Sequence, residues 1–258
     1  MKGAIIGDVV GSVHEHSGTK TTDFPLLIDR SRFTDDTVMT IAVADCLLND
    51  CDPAATLRSW GRRYPKSRYG RTFRFWLMND RVGDYGSWGN GGAMRVSPCG
   101  FLASSLEEAL DDAYRVTAVT HGHEEAIRGA QAIATAIWFA RAGLPKDTVR
   151  QEIEGRFGYR LDSTVANIRE DYAFDVSTAG TVPPALTAAF EADDLEGAIR
   201  LAISLGGDAD TLACIAGAVA EVLYGVPDEL WRSVEDCLPE AFMDIVAQMD
   251  AVMADRLP

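Results

Sequence analysis

The sequence predicts an all-α fold, on three observations. Apolar residues recur at the 3.6-residue period over most of the chain, and strict alternation is rare. Few segments are rich in β-branched residues. Several periodic runs open at Pro or just after Ser, Thr or Asp, the residue types that start helices. Taken in order, Thr34-Asp35-Asp36-Thr37 precedes Val38, Met39, Ile41, Ala42, Ala44, Leu47 and Leu48, which reads as a capped, largely buried helix. Pro53 opens a second helix that ends near Tyr64. Leu106 to Val119 sets Glu107, Glu108, Asp111 and Asp112 against an apolar side, and Glu124 to Ala142 carries the Ala, Ile and Gly of a closely packed helix. Further helices are expected at about 145–156, 162–172, 183–191, 194–205, 210–224 and 239–255. No Ser/Gly linker or low-complexity stretch intervenes, so residues 1–258 are expected to form a single domain.

Composition narrows the function. The 258 residues are 47% apolar, an ordinary globular balance. Acids outnumber Lys and Arg by 39 to 24, a net charge of −15 whose field repels nucleic-acid backbones. Sequence-specific nucleic-acid binding is therefore not expected. The five cysteines are scattered with no CxxC pair, which argues against a disulfide framework or a zinc site and for a reducing compartment. The opening segment meets Asp8 soon after Ile5 and Ile6, so no signal-peptide core forms, and no apolar run approaches 18 residues. A cytoplasmic protein with no membrane partner is expected. Oligomeric state is left open.

Two segments look alike. Thr34-Asp35-Asp36-Thr37 enters an apolar helix, and so does Gly206-Gly207-Asp208-Ala209-Asp210-Thr211. Capping explains one acid or hydroxyl at each start, because a helix N-terminus favours an acid by about 0.3–1 kcal/mol. A cap needs one side chain, and each segment supplies several. If Asp208 and Asp210 were both helical, about 200° of rotation would splay them, so they converge only where the chain still turns. Convergent Asp and Thr oxygens would form a hard donor set suited to Mg²⁺, Mn²⁺ or Ca²⁺. Should both segments meet, each carboxylate pair at about 5 Å would repel by about 3 kcal/mol, which divalent cations would remove. The third conspicuous feature is the loop from Arg81 to Gly92, with five glycines. Such a loop turns tightly or lets backbone N–H groups approach a ligand. A phosphate-binding loop at Gly3–Ser12 is rejected, since no Gly-Lys-Ser/Thr follows and Lys20 lies too far on.

In order along the chain, these blocks resemble the ADP-ribosylglycohydrolase family. Gly7-Asp8-Val9-Val10-Gly11-Ser12-Val13-His14-Glu15 is similar to the family's N-terminal block, and TDDT and GGDADT to its paired signature. Gly86-Ser87-Trp88-Gly89-Asn90-Gly91-Gly92-Ala93-Met94-Arg95 resembles its glycine loop, Thr120-His121 its T-H pair, and Thr181-Val182-Pro183 its V-P before a late helix. The resemblance implies an orthogonal all-α bundle that removes ADP-ribose from an acceptor by breaking the bond at the anomeric carbon. It also implies two divalent cations, Mg²⁺ first and Mn²⁺ as the alternative, held by Thr34, Asp35, Asp36, Asp208, Asp210 and Thr211. Glu15 and Asp35 are the implied catalytic acids. Substrate contacts are expected from Gly86, Ser87, Trp88, Gly89, Asn90, Gly91, Gly92, Met94 and His121, with the diphosphate on the glycine loop and Trp88 stacked on adenine or else buried in the core. Arg95 reads either as a phosphate partner or as a structural ion-pair former. His14 and His16 read as loop residues. The competing reading is an inactive member of the same fold that binds ADP-ribose without turnover. The acceptor is open: arginine, serine, an acetyl ester or a nucleic acid.

Overall fold

Helix starts are built as the sequence suggests, from side chains that accept the otherwise unpaired N–H groups of a first turn. Ser105 caps Glu108, Thr164 caps Asn167, Ser177 caps Gly180 and Asp194 caps Gly197. The computed structural model describes residues 1–255, and among them fourteen α-helices and no strand are present. They are α1 (Lys2–Gly11), α2 (Asp35–Leu48), α3 (Pro53–Arg63), α4 (Arg71–Leu77), α5 (Ser97–Leu102), α6 (Leu106–Ala118) and α7 (Glu124–Arg141). The second half holds α8 (Lys146–Phe157), α9 (Val165–Asp171), α10 (Thr178–Glu191), α11 (Leu195–Ile203), α12 (Ala209–Tyr224), α13 (Asp228–Glu235) and α14 (Glu240–Asp255).

Helix α12 is buried along most of its length and packs on α1, α7, α10 and α11. Its neighbour α1 approaches backbone to backbone because Gly3, Gly7 and Gly11 recur every four residues along one face. A Cβ on Gly3 would sit 2.1 Å from the Gly217 carbonyl oxygen, and one on Gly7 2.0 Å from that of Ala213. At the far end a Cβ on Gly11 would reach 2.5 Å from the Asp210 Cα. The two helices therefore run antiparallel, and the C-terminus of α1 lies against the N-terminus of α12. Ile5, Ile6, Leu212 and Val219 are fully buried. Each such side chain contributes about 1.5–3 kcal/mol.

Four helices lie outside the expected set. Helix α1 is apolar nearly all round and shows no amphipathic stripe, while α4, α5 and α13 add three short helices of 7, 6 and 8 residues. Helix α10 starts five residues before the expected Pro183, at its Ser177 cap, so Thr181-Val182-Pro183 lies within it. Pro184 has no N–H for the Gly180 carbonyl one turn back, and the Tyr172 hydroxyl donates to that oxygen at 2.8 Å instead. Lys20, in the long connection between α1 and α2, donates to the carbonyls of Arg169, Tyr172 and Leu205 and so ties the ends of α9 and α11 together.

Candidate active site

The N-termini of α2 and α12 meet beside the C-terminus of α1, and this convergence gathers the acids. Thr34 is the N-cap of α2, with its hydroxyl accepting from the Asp36 N–H. Its own proton goes to Asp8 Oδ1 at 2.7 Å. Asp8, fully buried on α1, also receives the N–H groups of Thr34 and Thr37 and the Thr37 hydroxyl on Oδ2. Four donors on one carboxylate fix how α2 begins. The sequence reading placed Asp8 in a motif but gave it no role; the Gly3-Gly7-Gly11 stripe is the signal that would have set it on a buried helix.

On α12, Asp208 stands at the N-cap with φ −71° and ψ 80°, outside the helix, and Asp210 is in the first turn. The turn between them is prepared by Gly206, at φ +74°, a conformation that favours glycine. Asp208 makes no capping bond. Its carboxylate takes the Asn90 side-chain amide at 2.7 Å, and Asn90 donates also to the Thr181 hydroxyl at 3.1 Å. Capping therefore accounts for Thr34 but not for Asp208.

Carboxylate oxygens of Asp8, Asp36 and Asp210 all lie within 4.8 Å of one another, and so do those of Glu15, Asp208 and Asp210. Asp210 belongs to both groups. Asp36 Oδ1 is buried with no hydrogen-bond partner. Burial first, then the neighbouring carboxylates, pushes Asp36 and Asp210 well above the ordinary carboxylate range. Asp35 is pushed well up as well, by burial and then by Asp8. Asp8 is raised by burial against the pull of its four donors. An all-oxygen set of like charges with an orphaned buried oxygen fits divalent cations. Thr211 is buried beside the acids and Asp35 is half-buried; both line the same cleft, although Asp35 belongs to neither close group.

That cleft has a volume of about 620 Å³, within the range of small-molecule sites. Glu15 stands on its wall, paired with Arg68 at 3.0 Å. Arg68 has φ +62°, in the left-handed region, and donates also to the Ser12 carbonyl, so the strained backbone is tied down from its side chain. Sequence reading gave no role to Arg68, nor to Tyr85, Phe174 and Val176, which line the cleft too. Nothing in their spacing marks them.

The glycine loop is held largely by its own backbone. Gly86, Ser87, Gly89 and Asn90 each donate their N–H within the protein, to Asp84, Thr120, the Ser87 hydroxyl and Val176 respectively. Gly91 and Gly92 admit His121: a Cβ on Gly91 would come within 3.2 Å of His121 Nε2, and one on Gly92 within 3.0 Å of its Cβ. Met94 is buried in the cleft wall, and Trp88 is 55% exposed at the rim, which removes the core-aromatic reading.

Arg95 is fully buried behind the cleft wall and donates through Nη2 to the Val116 carbonyl and the Thr120 hydroxyl, with no ion pair among the described residues, while its Nε and Nη1 have no partner. Burial pushes its guanidinium down to about 10. Thr120 Oγ1 lies 2.7 Å from His121 Nδ1. Because Arg95 can only donate, Thr120 Oγ1 accepts from it and can give its own proton to Nδ1, an arrangement that favours the ring proton of His121 on Nε2, among Gly89, Gly91 and the cleft. Burial, and then Arg95, holds His121 well below the ordinary histidine range, so it is a neutral donor.

Comparison with known proteins bears on the fold and the family. A search of solved structures returns an "ADP-ribosylglycohydrolase-related protein complex" at a TM-score of 0.69 and 24% identity, covering 98% of this chain and 96% of that one. The fold is thus shared. Among curated proteins, the ADP-ribosylarginine hydrolase Tri1 of Pseudomonas putida (strain GB-1) is 26% identical, over 98% of this chain and 79% of that protein. The mouse (Mus musculus) ADP-ribosylhydrolase ARH3 is 25% identical, over 96% and 89%. The family description that matches, from residue 1 to residue 257, is that of the ADP-ribosylglycohydrolases, and on that match the chain belongs to the ADP-ribosylglycohydrolase family.

Proposed function

We propose that the chain hydrolyses the bond between the anomeric carbon of ADP-ribose and an acceptor, with divalent cations in the acid site. The observation that carries this reading is the pair of carboxylate groups sharing Asp210 at the base of a cleft of small-molecule size. The activities for which the Pseudomonas and mouse relatives are named support it. One continuous core from Met1 to Met249 supports treating residues 1–258 as one working unit.

Thr34, Asp35, Asp36, Asp208, Asp210 and Thr211 would hold the cations, Mg²⁺ first and Mn²⁺ as the alternative. When bound, such ions neutralise the acids, orient ribose hydroxyls and make a coordinated water more acidic. The remaining work belongs to the chain. Asn90 holds Asp208 in its turn, and Asp8 fixes the start of α2. Glu15, kept on the cleft wall by Arg68, and Asp35, open to the cleft, are the candidates to move a proton as the oxocarbenium-like sugar forms. His121 offers its Nε2–H toward the glycine loop, where a diphosphate would lie, and Ser87 keeps a hydroxyl proton to donate there. Trp88 and Phe174, both half-exposed at the rim, present apolar faces to a planar base.

The test is release of ADP-ribose from ADP-ribosylated acceptors, followed with Mg²⁺ and with EDTA. Metal-dependent release is expected. Binding of ADP-ribose with no release in either condition would establish the competing reading, an inactive binder. Among the described residues no helix is long and apolar enough to cross a membrane.

A further inference from the structure

The net charge of −15 hides a local reversal. Between Arg58 and Arg81 the chain carries eight of its 24 Lys and Arg residues against a single acid, Asp80. Several are occupied: Arg58 and Arg62 bond backbone carbonyls of the α4 end, and Arg68 pairs with Glu15. Arg71 and Arg74, both exposed, make no ion pair among the described residues. They share one face of α4 with Phe75 and Met78, at helical spacings of three, four and seven. Phe75 is 61% exposed and Met78 68%, the two most exposed large apolar side chains among the described residues. The strip starts inside the site, because Arg71 lines the cleft, and leads outward for about 10 Å.

We infer that this face of α4 is where the acceptor part of the substrate lies, and that the acceptor is a single-stranded nucleic acid bearing the ADP-ribose. The inference rests on the hydrolase reading above for the contents of the cleft. Guanidinium groups interleaved with an exposed ring match a strand in which every nucleotide brings both a phosphate and a planar face. An acidic peptide would satisfy Arg71 and Arg74 and leave Phe75 and Met78 unmatched. Acids more than about 8 Å from the strip are screened at physiological salt, and the carboxylates that share the cleft with Arg71 would be neutralised by the cations of the proposed site. Stacking and phosphate contacts carry no base preference, so binding should be independent of sequence.

The test uses the full chain in Mg²⁺ buffer and a fluorescein-labelled 12-nucleotide single strand, followed by anisotropy across salt concentrations. Binding should weaken with salt, with a log–log slope of about −0.7 for each phosphate contacted. Phe75→Ala should weaken binding about fivefold or more with the slope unchanged, as loss of a stacked base requires. Arg74→Gln should make the slope shallower by about 0.7. Both side chains are exposed and neither lines the cleft, so release of ADP-ribose from a small ADP-ribosylated acceptor should be unchanged in either variant. No strand binding, equal binding by the variants, or tighter binding of a 12-residue Asp/Glu peptide would overturn the inference. Strand binding with no release of ADP-ribose from any acceptor would instead overturn the hydrolase reading and leave the strip in place.

Discussion

Asp210 is the residue on which the site turns, since its oxygens lie within 4.8 Å of both the Asp8–Asp36 and the Glu15–Asp208 groups. Replacing it by Asn removes one buried charge from a set that repels itself by up to about 3 kcal/mol per pair. Asp210→Asn should therefore melt at a higher temperature than the parent in EDTA, yet gain little on adding Mg²⁺, and should lose turnover. Calorimetric melting with and without Mg²⁺ checks the first two points, and an Asp210→Asn protein with the full Mg²⁺ response would remove Asp210 from the site. His121 makes a sharper claim at the same scale. Long-range ¹H–¹⁵N spectra should show its ring protonated at Nε2 and neutral at pH 7, as the Arg95–Thr120 hydrogen bond favours and burial enforces. Thr120→Val removes one acceptor from the buried Arg95 Nη2, which keeps the Val116 carbonyl, and leaves His121 Nδ1 without its partner. It should cost about 1–3 kcal/mol in urea unfolding and relax the tautomer preference. A His121 ring protonated at Nδ1 in the parent chain would remove His121 as a donor toward the glycine loop.

Among the elements, α1 shows what pattern reading catches and what it passes over. Helices α2, α3, α6, α7 and α12 were legible because each is eleven residues or longer and carries a cap or a sustained period. Helix α1 was not, because a helix buried all round has no polar face to set its period. Thr34, Asp36, Asp208 and Asp210 were legible as candidates from their redundancy at two helix starts. That the two starts meet follows from α1 and α12 touching through Gly3, Gly7 and Gly217, a fact no local pattern states. Gly7→Ala tests the dependence. Its Cβ would fall 2.0 Å from the Ala213 carbonyl oxygen, so α1 must move away, at a cost of about 3 kcal/mol and with weaker Mg²⁺ binding, because Asp8 moves too. The contrasting substitution is Gly155→Ala on α8, where a Cβ meets nothing within 4 Å. That change should stabilise by about 0.5–1 kcal/mol and leave Mg²⁺ affinity as it was. Equal effects of the two alanines on metal affinity would show that α1 does not govern the site.

For the whole molecule, net charge says little about individual surfaces. Summed over the chain it is −15, but the sum averages an acid-lined cleft with the basic stretch from Arg58 to Arg81 beside it. The cleft's share of that charge also sets how stability should respond to metal. Asp8, Asp36, Asp208 and Asp210 come from α1, α2 and α12, so a cation bound among them ties together three separate helices and binds only the folded chain. Stability should then rise by RT ln(1 + [Mg²⁺]/Kd), about 2.7 kcal/mol at one hundred times Kd. For a chain of this length that corresponds to a rise in Tm of about 5–10 °C. Na⁺ at matched ionic strength should reproduce only the screening of surface charges, a much smaller shift. Scanning calorimetry over a Mg²⁺ series in EDTA-stripped protein measures both, and a Tm that follows ionic strength alone would mean that the buried acids hold no specific divalent ion.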